Sequence, residues 1–271
     1  LALSIDHRLL PALSARAELL AARGEWAGAL ADLETALVSQ PNDPRLRLRR
    51  GELMLRQGDW WRGLDDHEAR LEIPGERYAP DLPRWQGEPL DGRLLLYPEQ
   101  ADIESDAALR DTLMLARGVE AVVQCGATLA GWIDGATVRR GAPLEGFAAA
   151  APLRSLPLLL NWTRDALPLP AKLRPRLQPT SRIGWFCASK PPDSLDLVRT
   201  PGEIPTCRLV VGDDTWPAHA AASVGIRTLI LVPRTADWLW GPNLGISPWY
   251  PSAELLRDDD LEGLAARLAG C

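Results

Sequence analysis

At 271 residues the chain is long enough for two or three compact units rather than one. Its hydrophobic share of 46% and charged share of 24% are those of a globular protein, which excludes a disordered or fibrous chain. A net charge of −6, spread along the sequence with no basic stripe, excludes nucleic acid as an electrostatic partner.

The chain starts at Leu1, without Met and without a charged segment leading into an apolar one, so no signal peptide is expected. It begins inside a helical pattern, as a piece of a longer protein would. Leu13, Ala17 and Leu20 are spaced along one helix face and lead into Gly24-Glu25-Trp26-Ala27-Gly28-Ala29-Leu30-Ala31-Asp32. That string recurs 34 residues later, from Gly58 through Trp60, Gly63 and Leu64 to Asp66. Leu33, Ala36 and Leu37 continue the helix, and Pro41-Asn42-Asp43-Pro44 closes the unit. Two helices in a 34-residue period, with a small residue at the turn and Pro at the end, are the tetratricopeptide signature. Residues 1–72 are therefore expected to form about two such repeats. Gly24 and Gly58 should end the first helix of each pair, and Trp26 and Trp60 should fill the inter-helix groove. In the second copy Gly63 and His67 replace the usual Ala and aromatic; His67 reads as a groove-filling side chain. His7 carries no information.

Residues 73–92, with Pro74, Gly75, Pro80, Pro83, Gly87, Pro89 and Gly92 around Trp85, read as a connector. The periodicity then changes. Arg93–Tyr97 is an expected strand, Asp106–Ala116 a helix, Val119–Val123 a strand, Ala127–Trp132 a short helix and Ala136–Val138 a strand. Such alternation predicts a parallel α/β lobe over 93–166. Pro152–Leu160 reads as an apolar loop or helix, and 167–180 as a Pro-rich linker. A second α/β lobe, 181–271, opens with the strand Arg182–Cys187 and a loop carrying Ser189, Lys190 and Asp193, and closes with a helix over about 259–269. The expected class is thus α/β with an N-terminal all-α repeat region.

Basic residues are almost all Arg, the only lysines being Lys172 and Lys190, as a GC-rich bacterial coding bias would give. Cys125, Cys187, Cys207 and Cys271 lack CxxC spacing and metal-ligand neighbours, so reduced cysteines in a cytoplasmic protein are expected, with no metal. No apolar run approaches the ~20 residues of a spanning helix.

Within the second lobe, Val210-Val211-Gly212-Asp213-Asp214-Thr215-Trp216-Pro217-Ala218-His219 reads as a buried strand, a turn and a helix start, with Leu229–Val232 as the next buried strand. Asp214, Thr215 and His219 then lie where a strand ends and a helix begins, the place where open α/β sheets hold phosphates. Helix-start N–H groups, the Thr215 hydroxyl and a His219 N–H one turn on could all donate to a diphosphate. The alternative stays open: Asp214 as a helix-cap acid and His219 as a satisfied core histidine.

The order of parts resembles bacterial tetratricopeptide-repeat proteins fused to a glycosyltransferase-like module, related to the heptosyltransferase and O-linked N-acetylglucosamine transferase groups. The likeness rests on Leu82–Leu90 with Leu94–Gln100, on Pro152-Leu153-Arg154-Ser155-Leu156-Pro157, on Ile183-Gly184-Trp185, and on Asp214–Ala222 with Asp237–Trp240 and Ser247-Pro248-Trp249-Tyr250-Pro251. It implies a GT-B architecture, two Rossmann-like lobes facing a cleft, and metal-independent sugar transfer from a nucleotide sugar, with no further cofactor. It assigns Asp214, Thr215 and His219 to the donor phosphates and ribose, with Lys190 assisting leaving-group charge. The repeats would dock a protein or glycan acceptor.

Two departures stand against the family pattern. The glycine-rich loop usual after the first strand is replaced by Glu99-Gln100-Ala101-Asp102-Ile103-Glu104-Ser105-Asp106, which leaves Asp106 as the base by alignment, or as an ordinary helix-start acid. Only a short loop lies between Asp193 and Leu209, so the second lobe is expected to be reduced, to about three strands. The chain is then either a glycosyltransferase or a catalytically degenerate interaction module. Trp85, Trp238, Trp240, Trp249 and Tyr250 are read as packing residues before sugar- or base-stacking ones.

Overall fold

The computed structural model describes residues 10–75, 77–168, 173, 177–178, 180–191, 196–233, 236–241 and 244–269. His7, Lys172, Asp193, Cys271 and most of the Pro-rich linker lie outside the described residues. The chain forms two compact units: Leu1–Gly75 with Thr235–Asn243, and Glu76–Arg234 with Leu244–Cys271. The first is helical, the second α/β.

The helical unit contains α1 (Leu10–Ala22), α2 (Trp26–Ser39), α3 (Pro44–Arg56), α4 (Trp60–His67) and a 3-10 turn, Glu68–Glu72. Both hairpins turn through the same hydrogen bonds. Gly24 N donates to Ala21 O (3.0 Å) and Glu25 N to Leu20 O (2.9 Å); Gly58 N donates to Leu55 O (3.0 Å) and Asp59 N to Met54 O (2.9 Å). This closure needs a left-handed residue, and Gly24 (φ +78°) and Gly58 (φ +88°) supply it without a Cβ clash. The period reaches further than the Gly–Trp string suggests. Arg16 grips Asp32 through Nε–Oδ2 (2.6 Å) and Nη2–Oδ1 (2.5 Å). Arg50 grips Asp66 through the same atoms (2.6 and 3.1 Å).

The two helices of the second hairpin cross on small residues. A Cβ at Gly51 would stand 2.8 Å from Gly63 O, and one at Gly63 would stand 2.7 Å from Leu55 Cγ, so α3 and α4 touch backbone to backbone. Gly63, an irregularity in the sequence pattern, is what permits that approach. Leu13, Leu33, Leu37, Leu46 and Leu53 fill the core beside it. The Trp238–Trp240 turn belongs to this unit, and the Trp238 ring meets Trp60 edge-on at 5.7 Å and His67 at 5.2 Å. His67 is buried there as a packing residue.

The α/β unit holds two sheets. The first orders its strands β3-β2-β1-β4, all parallel: β1 (Arg93–Tyr97), β2 (Val122–Gln124), β3 (Thr137–Val138) and β4 (Phe147–Pro152). Its helices are α5 (Asp106–Leu115), α6 (Ala127–Ala130) and α7 (Leu156–Leu159). The expected second strand is shifted: Val119–Ala121 precede β2. β4 was not foreseen, because Phe147-Ala148-Ala149-Ala150-Ala151-Pro152 lacks β-branched residues. The connector pairs with it, Trp85 N donating to Ala150 O (2.9 Å) and Ala150 N to Pro83 O (2.8 Å).

The second sheet has six strands, ordered β6-β5-β7-β8-β10-β9, which corrects the expected three. They are β5 (Ile183–Phe186), β6 (Leu197–Val198), β7 (Leu209–Asp213), β8 (Arg227–Val232), β9 (Gly245–Ile246) and β10 (Ala253–Arg257), with α8 (Trp216–Ser223) after β7 and α9 (Leu261–Ala269) at the end. Only β9 runs antiparallel. β6 and β9 are too short for a periodic signal, and Ala253-Glu254-Leu255-Leu256-Arg257 carries helix-favouring residues; its pairing with β8 makes it a strand. Ile183, Trp185, Leu209, Val211, Leu229 and Leu256 form the core on one face of this sheet. No helix of the described residues is long and apolar enough to cross a membrane.

Candidate functional site

In a parallel α/β sheet the ligand crevice opens where strand order reverses, outside the carboxyl ends. Here the reversals fall between β1 and β4 in the first sheet and between β5 and β7 in the second. The residues singled out in the sequence gather there: Asp106 after β1, Lys190 after β5, and Asp214, Thr215 and His219 after β7. α5 and α8 also pack against each other, with Leu109, Leu113 and Ala220 in a shared core and Trp132 edge-on to Trp216 at 6.0 Å.

The anion-binding groups of this crevice are already occupied by carboxylates of the chain. Trp216 N, at the start of α8, donates to Asp106 Oδ1 across the two lobes (3.4 Å). Ala188 N, after β5, donates to Asp213 Oδ2 (2.7 Å). Ala127 N and Thr128 N, at the start of α6, donate to Glu104 Oε1, the latter at 3.4 Å. Asp102 takes the N–H of Glu104 (2.9 Å), and Ser105 caps α5 through Ala108 N (3.3 Å). Asp102, Glu104 and Asp106, in the stretch that replaces the expected glycine loop, thus each serve a backbone donor.

That loop is also strapped from behind. Arg140 donates to Pro98 O (2.9 Å), Gln100 O (2.7 Å) and Ala101 O (2.7 Å), and its guanidinium lies 3.9 Å from the centroid of the Tyr78 ring. Beside it, buried Asp111 accepts from Gln100 Nε2 (2.8 Å) and from Arg154 (2.7 and 3.1 Å). Arg110 joins the network, reaching Asp111 at 3.3 Å and Asp214 Oδ2 at 3.2 Å.

His219 is fully buried. Its Nε2 meets Asp214 Oδ1 at 2.9 Å and its Nδ1 meets the Tyr250 hydroxyl at 3.2 Å. Burial pulls its pKa down despite the opposing Asp214 hydrogen bond, and burial holds the Tyr250 phenol protonated. The arrangement requires one tautomer: Nε2–H donates to Asp214, and Tyr250 O–H donates to Nδ1. In this geometry both ring nitrogens of His219 are engaged within the chain. Thr215 takes the N-cap position with a half-buried side chain that makes no cap bond. Lys190 is exposed on a loop closed by Trp185 Nε1 donating to Ser189 O (2.9 Å).

Trp85, Trp249 and Tyr250 are buried; Trp249 stands edge-on to Trp162 at 6.3 Å, and Arg117 lies 5.6 Å over both Trp249 and Tyr250. The sequence reading assigned no part in the site to Arg110, Arg140 or Arg154, and took Tyr250 for a packing residue without its hydrogen bond to His219. Arg110 left a signal, one turn after Asp106 on the same helix; the other three come together only through the fold. Among the described residues no three His, Cys, Asp or Glu side chains are grouped as metal ligands. No protein-family model matches the chain, and no curated protein matches it.

Proposed function

We propose that the chain is a catalytically silent descendant of a glycosyltransferase of GT-B type. In this reading the nucleotide-sugar crevice is closed from within, and the helical hairpins, of tetratricopeptide type, serve as the surface for a protein or glycan partner. One observation carries the reading: Asp106 and Asp213 occupy the helix-start and strand-end N–H groups that a donor diphosphate would need. A diphosphate would have to displace both and part Arg110 from Asp214, while facing Asp102, Glu104 and Asp111 nearby. Asp106 is exposed and Asp213 half-buried, so displacing each bond costs on the order of 1 kcal/mol, to which the repulsion between diphosphate and these carboxylates adds. A thermal-shift series with UDP, GDP, ADP and their sugars tests this. No shift with any of them is expected; a dose-dependent rise that His219→Ala removes would refute it.

A second reading, a working transferase at rest, rests on the position of Asp214, Thr215 and His219 directly after β7. It requires Asp106 to leave Trp216 N and act as base. Nucleotide-dependent sugar transfer abolished by Asp106→Asn would establish it.

A further inference from the structure

We infer that the first α/β lobe carries a second ligand site, on the opposite side of its sheet from the closed crevice, and that it takes an amphipathic organic cation. A cavity of about 780 Å³ lies at the amino ends of β1 and β2, lined by Arg93 and Leu94 at the start of β1 and by Val119, Glu120 and Val122 at the start of β2. That volume lies within the ~300–1,000 Å³ of small-molecule sites.

The connector 85–92 forms the outer wall and is firmly held. Trp85 Nε1 donates to Glu88 O (2.7 Å), and Gln86 N donates to Glu88 Oε2 (2.9 Å). Gly87 (φ +95°) and Gly92 (φ +129°) allow the close approach: a Cβ would stand 2.9 Å from Leu159 O and 2.8 Å from Ala148 Cβ. The wall is therefore preformed, which spares a ligand the cost of ordering it.

The inner surface is apolar, from Leu94, Val119, Val122 and Leu160, while the charges sit around it. Glu120 is exposed and makes no ion pair among the described residues. Arg93, the one cation of the lining, stacks its guanidinium 4.4 Å from the centroid of the Phe147 ring. Two carboxylates, Glu88 and Glu120, thus stand in the lining against the one guanidinium, which is held on Phe147. An apolar body with an ammonium or guanidinium head suits both parts; an anion meets Glu88 and Glu120.

Isothermal titration of the full chain with 2-phenylethylamine, 2-phenylethanol and 3-phenylpropionate tests the assignment. The amine should bind saturably and up to about fivefold tighter than the other two, the value of one exposed ion pair. Glu120→Gln should erase most of that preference. Ala136→Trp, at an exposed position on the rim, should abolish binding of all three while far-ultraviolet circular dichroism and the urea midpoint stay unchanged. No saturable heat with the amine, equal affinity for amine and acid, or unchanged binding by the well-folded Ala136→Trp variant would each overturn it.

Discussion

Replacing Arg110 by Ala tests whether the crevice is closed by charge. The Arg110 side chain is 11% exposed, and its two acceptors, Asp214 and Asp111, are 13% and 1% exposed, so this is no surface ion pair. An exposed pair contributes about 0–1 kcal/mol, whereas stripping one partner from a buried pair costs about 3–5 kcal/mol. Asp111 keeps Arg154 (2.7 Å) and Gln100 (2.8 Å), and Asp214 keeps His219 (2.9 Å), which cushions the loss. The expected destabilisation is therefore about 2–3 kcal/mol. Urea unfolding, fitted with separate transitions for the helical and α/β units, measures it in the α/β transition. A double-mutant cycle with Asp214→Asn should return a coupling of about 1–3 kcal/mol. If Arg110→Ala changes stability by less than about 0.5 kcal/mol, or the two substitutions simply add, the ion pair does not hold the lobes and the reasoning fails.

Three further outcomes follow from the geometry. Gly63→Ala should cost about 1–3 kcal/mol in the helical unit, since its Cβ would stand 2.7 Å from Leu55 Cγ, while Gly75→Ala, with nothing within 4 Å, should be close to neutral by the same unfolding assay. Burial lowers the folded-state pKa of His219, so the unfolded chain binds a proton that the fold refuses: stability is full above the unfolded value of about 6.5 and falls on acidification, by at most about 1.4 kcal/mol per pH unit. The advantage of wild type over His219→Gln should accordingly shrink between pH 7.5 and 5.5, and parallel stability curves would contradict the assignment. Burial pushes the Cys125 thiol up to about 11 and the Cys187 thiol up to about 12. In a Cys271→Ser background both should therefore react with a disulfide reagent at pH 8 far more slowly in native protein than in urea.

How much of this was legible in the sequence depended on which interactions were local. The turn at Gly24 and its copy at Gly58 were readable because a helix end, a left-handed residue and a Trp are near neighbours in the chain. β1 and β7 were readable as dense runs of Leu and Val. β4 and β10 were not, because their strand character comes from partners: β1 for an alanine run, β8 for Ala253–Arg257. The same division holds at the site. Asp214, Thr215 and His219 were placed at a strand end by sequence, and the fold puts them there. Who satisfies them was invisible. Arg110 lies 104 positions from Asp214, Tyr250 lies 31 from His219, and Arg140 reaches carbonyls about 40 positions back. Among the acids after β1, Asp102, Glu104 and Asp106 accept from backbone N–H groups, two of them more than 20 positions away in the chain.

In the function proposed above, the chain's own carboxylates fill the place of a nucleotide sugar. Isothermal titration of UDP-, GDP- and ADP-sugars into the full chain, repeated with Asp106→Ala, tests it most directly. Wild type should give no saturable heat up to about 1 mM of any donor. Saturable wild-type binding tighter than about 0.1 mM, weakened by His219→Ala and unchanged by Asp106→Ala, would contradict it.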